Sequence, residues 1–248
     1  MRVVPVPCLE DNFAYLVIDG DRAAVVDPGE AAPIEAALAR EQVKLVAIWA
    51  THHHWDHVGG VPELVAKHGA IEVLAGETDA PKVKHVTRTL ADGDEVAFGA
   101  TRILHNPGHT LGAISFCVAD AVFTGDTLFA AGCGRVFEGD AAMMQRSLAK
   151  LAALPAETRV YFGHEYTRAN LKFAAAVEPD NRDITQRLAA LPETSTPSTI
   201  ADERATNPFL RVHEPAVIAA ARARGATSDD PAAVFAAIRT WKDTWRAA

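Results

Sequence analysis

Thr51-His52-His53-His54-Trp55-Asp56-His57 crowds imidazoles around a carboxylate, a grouping costly to hold together unless something positive binds between them. On extended backbone His52 and His54 point to the same side, because strand side chains alternate. Asp56 and His57 follow where the chain leaves that geometry, so they can face a second point a few ångströms away. That arrangement suits two adjacent metal ions better than one. A histidine run can also be a tag or a low-complexity tract. This one is internal, carries an aspartate and follows Leu45-Val46-Ala47-Ile48-Trp49-Ala50, which reads as a buried strand.

The same construction recurs downstream. A strand expected over Thr101–His105 leads through Asn106-Pro107-Gly108 to His109, one over Ala121–Thr124 through Gly125 to Asp126, and one over Thr158–Phe162 through Gly163 to His164. Each time an apolar strand stops, a glycine removes side-chain bulk and a metal-competent residue follows. Rigid strands that present polar groups from loops at one edge are a common way to build a site. The candidate ligands are therefore His52, His54, Asp56, His57, His109, Asp126 and His164. Five imidazoles and two carboxylates without a thiolate suit divalent ions, zinc first, with iron and manganese also acceptable. If one carboxylate bridges, two ions ~3.5–4 Å apart could hold a shared water as hydroxide for attack on a carbonyl. His53, His68, His85, His105 and His213 are expected at the surface, in packing or as supporting residues, with His53 facing away from the ligands.

A strand-rich first half must position these residues. Val3–Val6, Tyr15–Ile18, Ala23–Asp27, Glu72–Ala75, Glu95–Phe98 and Ala113–Val118 read as further strands, and residues 30–40, 61–68 and 141–154 as helices. Asp140 is an expected N-cap. After His164 the pattern turns to helix only, over residues 166–177, 183–191, 215–224 and 231–246, broken by the polar stretch Pro192–Thr199. The expected division is residues 1–167, with helices on the outer faces of packed sheets, and residues 168–248, a small helical domain. Within the last helix Arg239 and Lys242 are three apart and share a face, a socket for a carboxylate, while Trp241 and Trp245 are expected to pack it onto its neighbours.

Composition narrows the class. The 248 residues are 49 % hydrophobic and 23 % charged, as in a soluble globular protein. The net charge of −8 argues against a nucleic-acid surface and requires any anion site to gather its cations locally. Cys8, Cys117 and Cys133 are too few and too scattered for a disulfide framework, and neither a signal-peptide core nor a bilayer-spanning run is expected. The expectation is a cytoplasmic monomer with no nucleic-acid or membrane partner.

At this point the residues resemble a known group. Thr51–His57 has the Thr-His-x-His-x-Asp-His signature of the metallo-β-lactamase superfamily. Asn106-Pro107-Gly108-His109-Thr110, Gly125-Asp126-Thr127-Leu128, Gly132-Cys133-Gly134-Arg135 and Gly163-His164-Glu165-Tyr166-Thr167 are similar to motifs of the hydroxyacylglutathione hydrolase (glyoxalase II) family within it. So are Asn207-Pro208-Phe209-Leu210-Arg211 and Arg239-Thr240-Trp241-Lys242-Asp243, so the resemblance covers essentially the full length.

The resemblance implies an α/β (α+β) protein, an αββα sandwich followed by a small all-α C-terminal domain, with two divalent metal ions. By position, His52, His54 and His109 would hold one ion, Asp56, His57 and His164 the other, and Asp126 would bridge. It implies a glutathione thioester as substrate, typically S-D-lactoylglutathione, cleaved to D-lactate and glutathione in the second step of methylglyoxal detoxification. Arg135, Phe137, Tyr166, Arg239 and Lys242 fall at the glutathione-binding positions. Two of these depart from the family's pattern: Arg135 stands where human-type members have Lys, and Phe137 where they have Tyr, so a hydroxyl contact is expected to be missing.

Other classes fit less well. β-Lactamases are usually secreted and would not need the basic helical tail, a related nuclease would want a basic face, and a non-catalytic metal-binding protein would not need an anion socket. A glutathione persulfide dioxygenase of the same superfamily is the alternative, separable by oxygen consumption. The leaving group favours the hydrolase: a thiol with pKa ~8.5 departs as thiolate without a strong general acid.

Overall fold

Runs of Val, Ile and aromatic residues form two mixed six-stranded sheets in the computed structural model, which describes residues 1–246. The first sheet carries, side by side, Arg2–Cys8, Asn12–Asp19, Arg22–Val26, Lys44–Ala50, Glu72–Gly76 and Arg88–Leu90. Pairing is antiparallel up to Arg22–Val26 and parallel beyond it. Parallel neighbours need crossovers, and the helices Ala31–Glu41 and Val61–His68 supply them. The second sheet runs Ser198–Thr199, Arg159–Phe162, Ala121–Gly125, Ile114–Val118, Thr101–His105 and Glu95–Val96.

Asn12–Asp19 shows how the strand period sorts the layers. Phe13, Tyr15 and Val17 enter the cluster shared with the second sheet, while Ala14, Leu16 and Ile18 enter the cluster beneath the crossover helices. Between the sheets, Trp49 stacks on Phe116 with centroids 5.0 Å apart, and Tyr15 meets Phe123 at 5.5 Å. The helix Ala141–Ala152, capped by Asp140 through the Met143 N–H, adds Met144, Leu148 and Leu151 to the same core. The result is the expected helix–sheet–sheet–helix sandwich.

Backbone hydrogen bonds sew the two sheets together along one edge. The N–H of Ile114 donates to Thr51 O at 2.9 Å, that of Phe13 to Gly163 O at 2.8 Å, and that of Glu165 to Asp11 O at 2.9 Å. This is the edge at which the candidate ligands emerge.

The C-terminal segment carries Thr167–Val177, Arg182–Ala189, Ile200–Thr206, Pro215–Arg222 and Pro231–Thr244. Trp241 and Trp245 pack edge-on against Phe173, at 5.1 and 5.5 Å between centroids. The expectation of helix only after His164 needs one correction: Ser198–Thr199 pairs antiparallel with Arg159–Phe162 at the edge of the second sheet. Two polar residues carry no alternation to read. What makes them a strand is the open backbone edge beside them, and Thr199 then caps the helix that begins at Ile200. The hairpin Leu128–Phe129 with Gly132–Cys133 and the strand Arg88–Leu90 were likewise too short to show a period. Among the described residues no helix is long and apolar enough to cross a membrane.

Candidate metal centre and substrate cleft

The strand Lys44–Ala50 stops at Ala50, so His52 and His54 lie in the loop beyond it rather than on extended strand. A single helical turn, Trp55–Val58, follows. The loop still brings the two imidazoles together: His52 Nε2 lies 3.1 Å from His54 Nδ1, and His109 Nε2, from the second sheet, lies 2.9 Å from the same atom. Imidazole nitrogens held ~2.0–2.1 Å from a tetrahedral ion stand roughly 3.3 Å apart. The three nitrogens are thus close to coordination spacing.

A second nest lies beside the first. His57 Nε2 is 3.5 Å from Asp56 Oδ2 and 3.3 Å from His164 Nε2, and His164 Nε2 is 3.4 Å from Asp56 Oδ2. Asp126 stands between the nests. Its Oδ1 is 3.3 Å from His57 Nε2, and its Oδ2 is 3.3 Å from His164 Nε2 and 3.5 Å from His109 Nε2. Asp126 Oδ1 is buried without a hydrogen-bond partner, a costly arrangement unless a cation completes it. Gly163 leaves room for this: a Cβ there would lie 2.3 Å from Asp126 Oδ1.

Charge distinguishes the nests. Burial pushes the imidazoles of His52, His54 and His109 below their ordinary range, so they present neutral lone pairs. Burial acts the same way on His57 and His164, but carboxylates overrule it. Asp126 and Asp27 raise His57 well above its usual value, and Asp126 with Asp56 pushes His164 up to about 10. The imidazoles in turn hold Asp56 and Asp126 well below the carboxylate range despite their burial. The carboxylates thus favour positive charge at this nest, and a divalent ion would displace any proton held there. The donor set fits a dinuclear centre.

Four of the five imidazoles, those of His52, His57, His109 and His164, also have the outward-facing nitrogen engaged. His57 Nδ1 lies 3.1 Å from Asp27 Oδ2, and His164 Nδ1 is 2.8 Å from Asp11 Oδ1. His109 Nδ1 donates to the carbonyl of Arg135 at 2.8 Å. The Thr51 hydroxyl donates to Asp27 Oδ2 at 2.6 Å and is 3.1 Å from His52 Nδ1. These contacts fix the tautomers and aim the other nitrogen inward. Asn12 Nδ2 donates to Asp56 Oδ2 at 3.1 Å. Sequence reading missed Asp11, Asn12 and Asp27. Asp27 did carry a signal, since it closes an apolar strand just as Asp126 follows one.

A cavity of about 470 Å³ opens from Asp126 and His109 toward the last helix, and Arg135, Arg239, Lys242 and Arg246 line it. It therefore gathers cations locally on an acidic protein. Tyr166 lies flat on His164, with centroids 4.8 Å apart, and Phe137 stands 5.3 Å from His109 and 5.8 Å from His54. One aromatic wall flanks each nest. Arg239 is buried, donating from Nη1 to Cys133 O and from Nη2 to Asp243 Oδ1, both at 3.0 Å, while its Nε is buried without a partner. The ammonium of Lys242 sits over Phe173 at 4.9 Å and Trp245 at 5.3 Å, and burial beside Arg239 lowers its pKa to about 8.

The structure brings all seven candidate ligands into one cluster and the five candidate substrate contacts around the adjoining cavity. Of the remaining histidines, His68 is 2.6 Å from Glu35 and His105 is 2.9 Å from Leu111 O. His53 turns away from the nests toward Asp79 and Glu138, but the ammonium of Lys82 already sits there, 2.6 Å from Glu138 Oε1 and 3.4 Å from His53 Nε2.

Comparison with known proteins agrees with this architecture. A family model described as "Metallo-beta-lactamase superfamily" matches residues 10–164, and one described as "Hydroxyacylglutathione hydrolase C-terminus" matches residues 165–245. Curated relatives named hydroxyacylglutathione hydrolase include one from Alkalilimnicola ehrlichii, 51 % identical over 98 % of each chain. Another, from Cupriavidus taiwanensis, is 48 % identical over 99 % of this chain and 100 % of its own. Among solved structures, TTHA1623 in a di-iron-bound form superposes with a TM-score of 0.65 at 30 % identity, covering 84 % of this chain and 100 % of its own.

Proposed function

The chain belongs to the hydroxyacylglutathione hydrolase family of the metallo-beta-lactamase superfamily, and from that premise we propose that it hydrolyses S-2-hydroxyacylglutathione thioesters, S-D-lactoylglutathione foremost, to the hydroxy acid and free glutathione. One observation carries the reading: Asp126, which stands between the two nests, and His109 of the first line a cavity that also gathers four cations.

In this reading His52, His54 and His109 would hold one divalent ion and Asp56, His57 and His164 the other, with Asp126 placed to serve both. Zinc is the ion proposed, and the same donors accept iron or manganese. Bound there, the ions supply Lewis-acid charge and an activated water. Arg239, Lys242 and Arg135 take the carboxylates of glutathione, while Tyr166 and Phe137 flank the thioester. Arg239 lines that cavity, with its guanidinium fixed by Cys133 O and Asp243 Oδ1. The departing thiol, with a pKa of ~8.5, needs no proton donor. Residues 1–167 form the catalytic domain and residues 168–248 the helical substrate-binding domain.

The test is turnover of S-D-lactoylglutathione by purified protein with metal content measured on the same sample. About two ions per chain with robust hydrolysis is the expected result. A fully metallated sample that leaves the thioester intact but consumes oxygen with glutathione persulfide would replace the hydrolase with the dioxygenase.

A further inference from the structure

Asp79 is fully buried in the turn beyond the strand Glu72–Gly76 and touches none of the seven candidate ligands. It joins the two loops that carry three of them. Its Oδ2 accepts the N–H of His53 at 3.0 Å and the hydroxyl of Thr110 at 2.8 Å, and its Oδ1 accepts the N–H of Gly112 at 3.0 Å. His53 lies between His52 and His54, and Thr110 follows His109. The first loop leaves the first sheet and the second leaves the second sheet, so a third segment fixes their separation. Gly112 is part of the fit: a Cβ there would lie 2.3 Å from Asp79 Oδ1.

Neighbouring polar groups extend the tether. The imidazole of His53 lies 2.9 Å from Asp79, off the hydrogen-bonding direction. Lys82, on the turn Ala80–Lys82, donates to Glu138 Oε1 at 2.6 Å, and Glu138 Oε2 accepts the Leu111 N–H at 2.9 Å. The second nest is braced differently, by Asp27, Asp11 and Asn12.

We propose that Asp79 is a positioning residue for the three-histidine nest alone. It holds His52 and His54 at coordination distance from His109, and so sets the affinity for that ion without touching metal or substrate. This rests on the reading of those histidines as metal ligands. Tethers that orient a metal ligand typically govern affinity by about 10–100-fold.

The experiment compares the metal-loaded protein with Asp79→Asn, which keeps the shape but turns an amide toward groups that need an acceptor. The variant is expected to fall from about two ions per chain to about one. The retained ion should resist a chelator as in the parent, and the other should bind about 10–100-fold more weakly. Retention of both ions with parental chelator resistance, or loss of both together, overturns the proposal. If Asp79→Asn does not fold, Thr110→Val removes one tether and leaves the carboxylate paired. Weakening of one ion supports the proposal, and no change, or equal weakening of both ions, overturns it. A parent that binds two ions and turns over alongside a variant that also keeps both sinks only the role of Asp79. A parent without two ions sinks the functional reading as well.

Discussion

His109 and Arg135 are hydrogen-bonded to each other, yet they follow opposite plans. The imidazole is 4 % exposed, with one nitrogen held by the carbonyl of Arg135 at 2.8 Å and the other 2.9 Å from His54. The guanidinium of Arg135 has 66 % of its side chain exposed and only a 3.8 Å contact to Asp243. The rest of each region matches its representative. The imidazoles of His52, His57 and His164 are buried and doubly engaged, whereas the cations reach into an open cavity, with Arg239 the one that is buried. Coordination falls off within fractions of an ångström, so its donors must be fixed in advance. Attraction between a cation and a carboxylate acts over longer distances, so those side chains can settle when the ligand arrives.

That contrast predicts where each change is felt, and the largest effect should come from the rigid side. Asp126→Asn should lose metal and lower kcat by on the order of 10³-fold together, because it faces both nests. A variant that keeps two ions and full turnover would remove its bridging role and with it the contrast.

Arg239→Met should raise KM by about 10–100-fold, the worth of one or two charge-assisted hydrogen bonds, and leave kcat within about threefold. A fall in kcat with KM unchanged would place Arg239 with the rigid machinery.

Lys242 gives a pH signature. Its pKa of about 8 leaves it charged below that pH, so KM should climb as pH rises through 8 while kcat changes little. Lys242→Arg, which stays charged, should flatten the climb. The linkage has a definite sign. The folded-state pKa lies below the ordinary lysine value of 10.5, so unfolding takes up a proton between about 8 and 10.5, and this group adds stability as pH rises through that window. A KM profile that is flat through pH 8 in the parent would detach Lys242 from the substrate.

The smallest change is expected for Phe137→Tyr. A restored hydroxyl should lower KM two- to tenfold, the worth of one neutral hydrogen bond, with metal content unchanged.

Legibility in the sequence followed the same divide. The candidate ligands could be read because each sits where an apolar strand ends, at Ala50, His105, Gly125 and Phe162, and strand period and strand ends are local properties. The residues that hold those ligands could not. Asp11 reaches His164 across 153 positions and Asp79 reaches Gly112 across 33, and no periodicity records such pairings. Arg239 and Lys242 were readable as one helix face. That Arg239 would be buried against Cys133 with its Nε unpartnered, and that burial beside Arg239 would lower the pKa of Lys242, depended on packing between elements. The strand Ser198–Thr199 exists only because an open edge lay beside it.

The sequence by itself determined the longer strands and helices and the donor types, because hydrophobic period and ligand chemistry reside in neighbouring residues. Tertiary structure decided which donors cluster together, which carboxylates raise the pKa of His57 and His164, and which histidines stand apart. Those outcomes depend on distances of about 3 Å between groups that only the closed sandwich brings together.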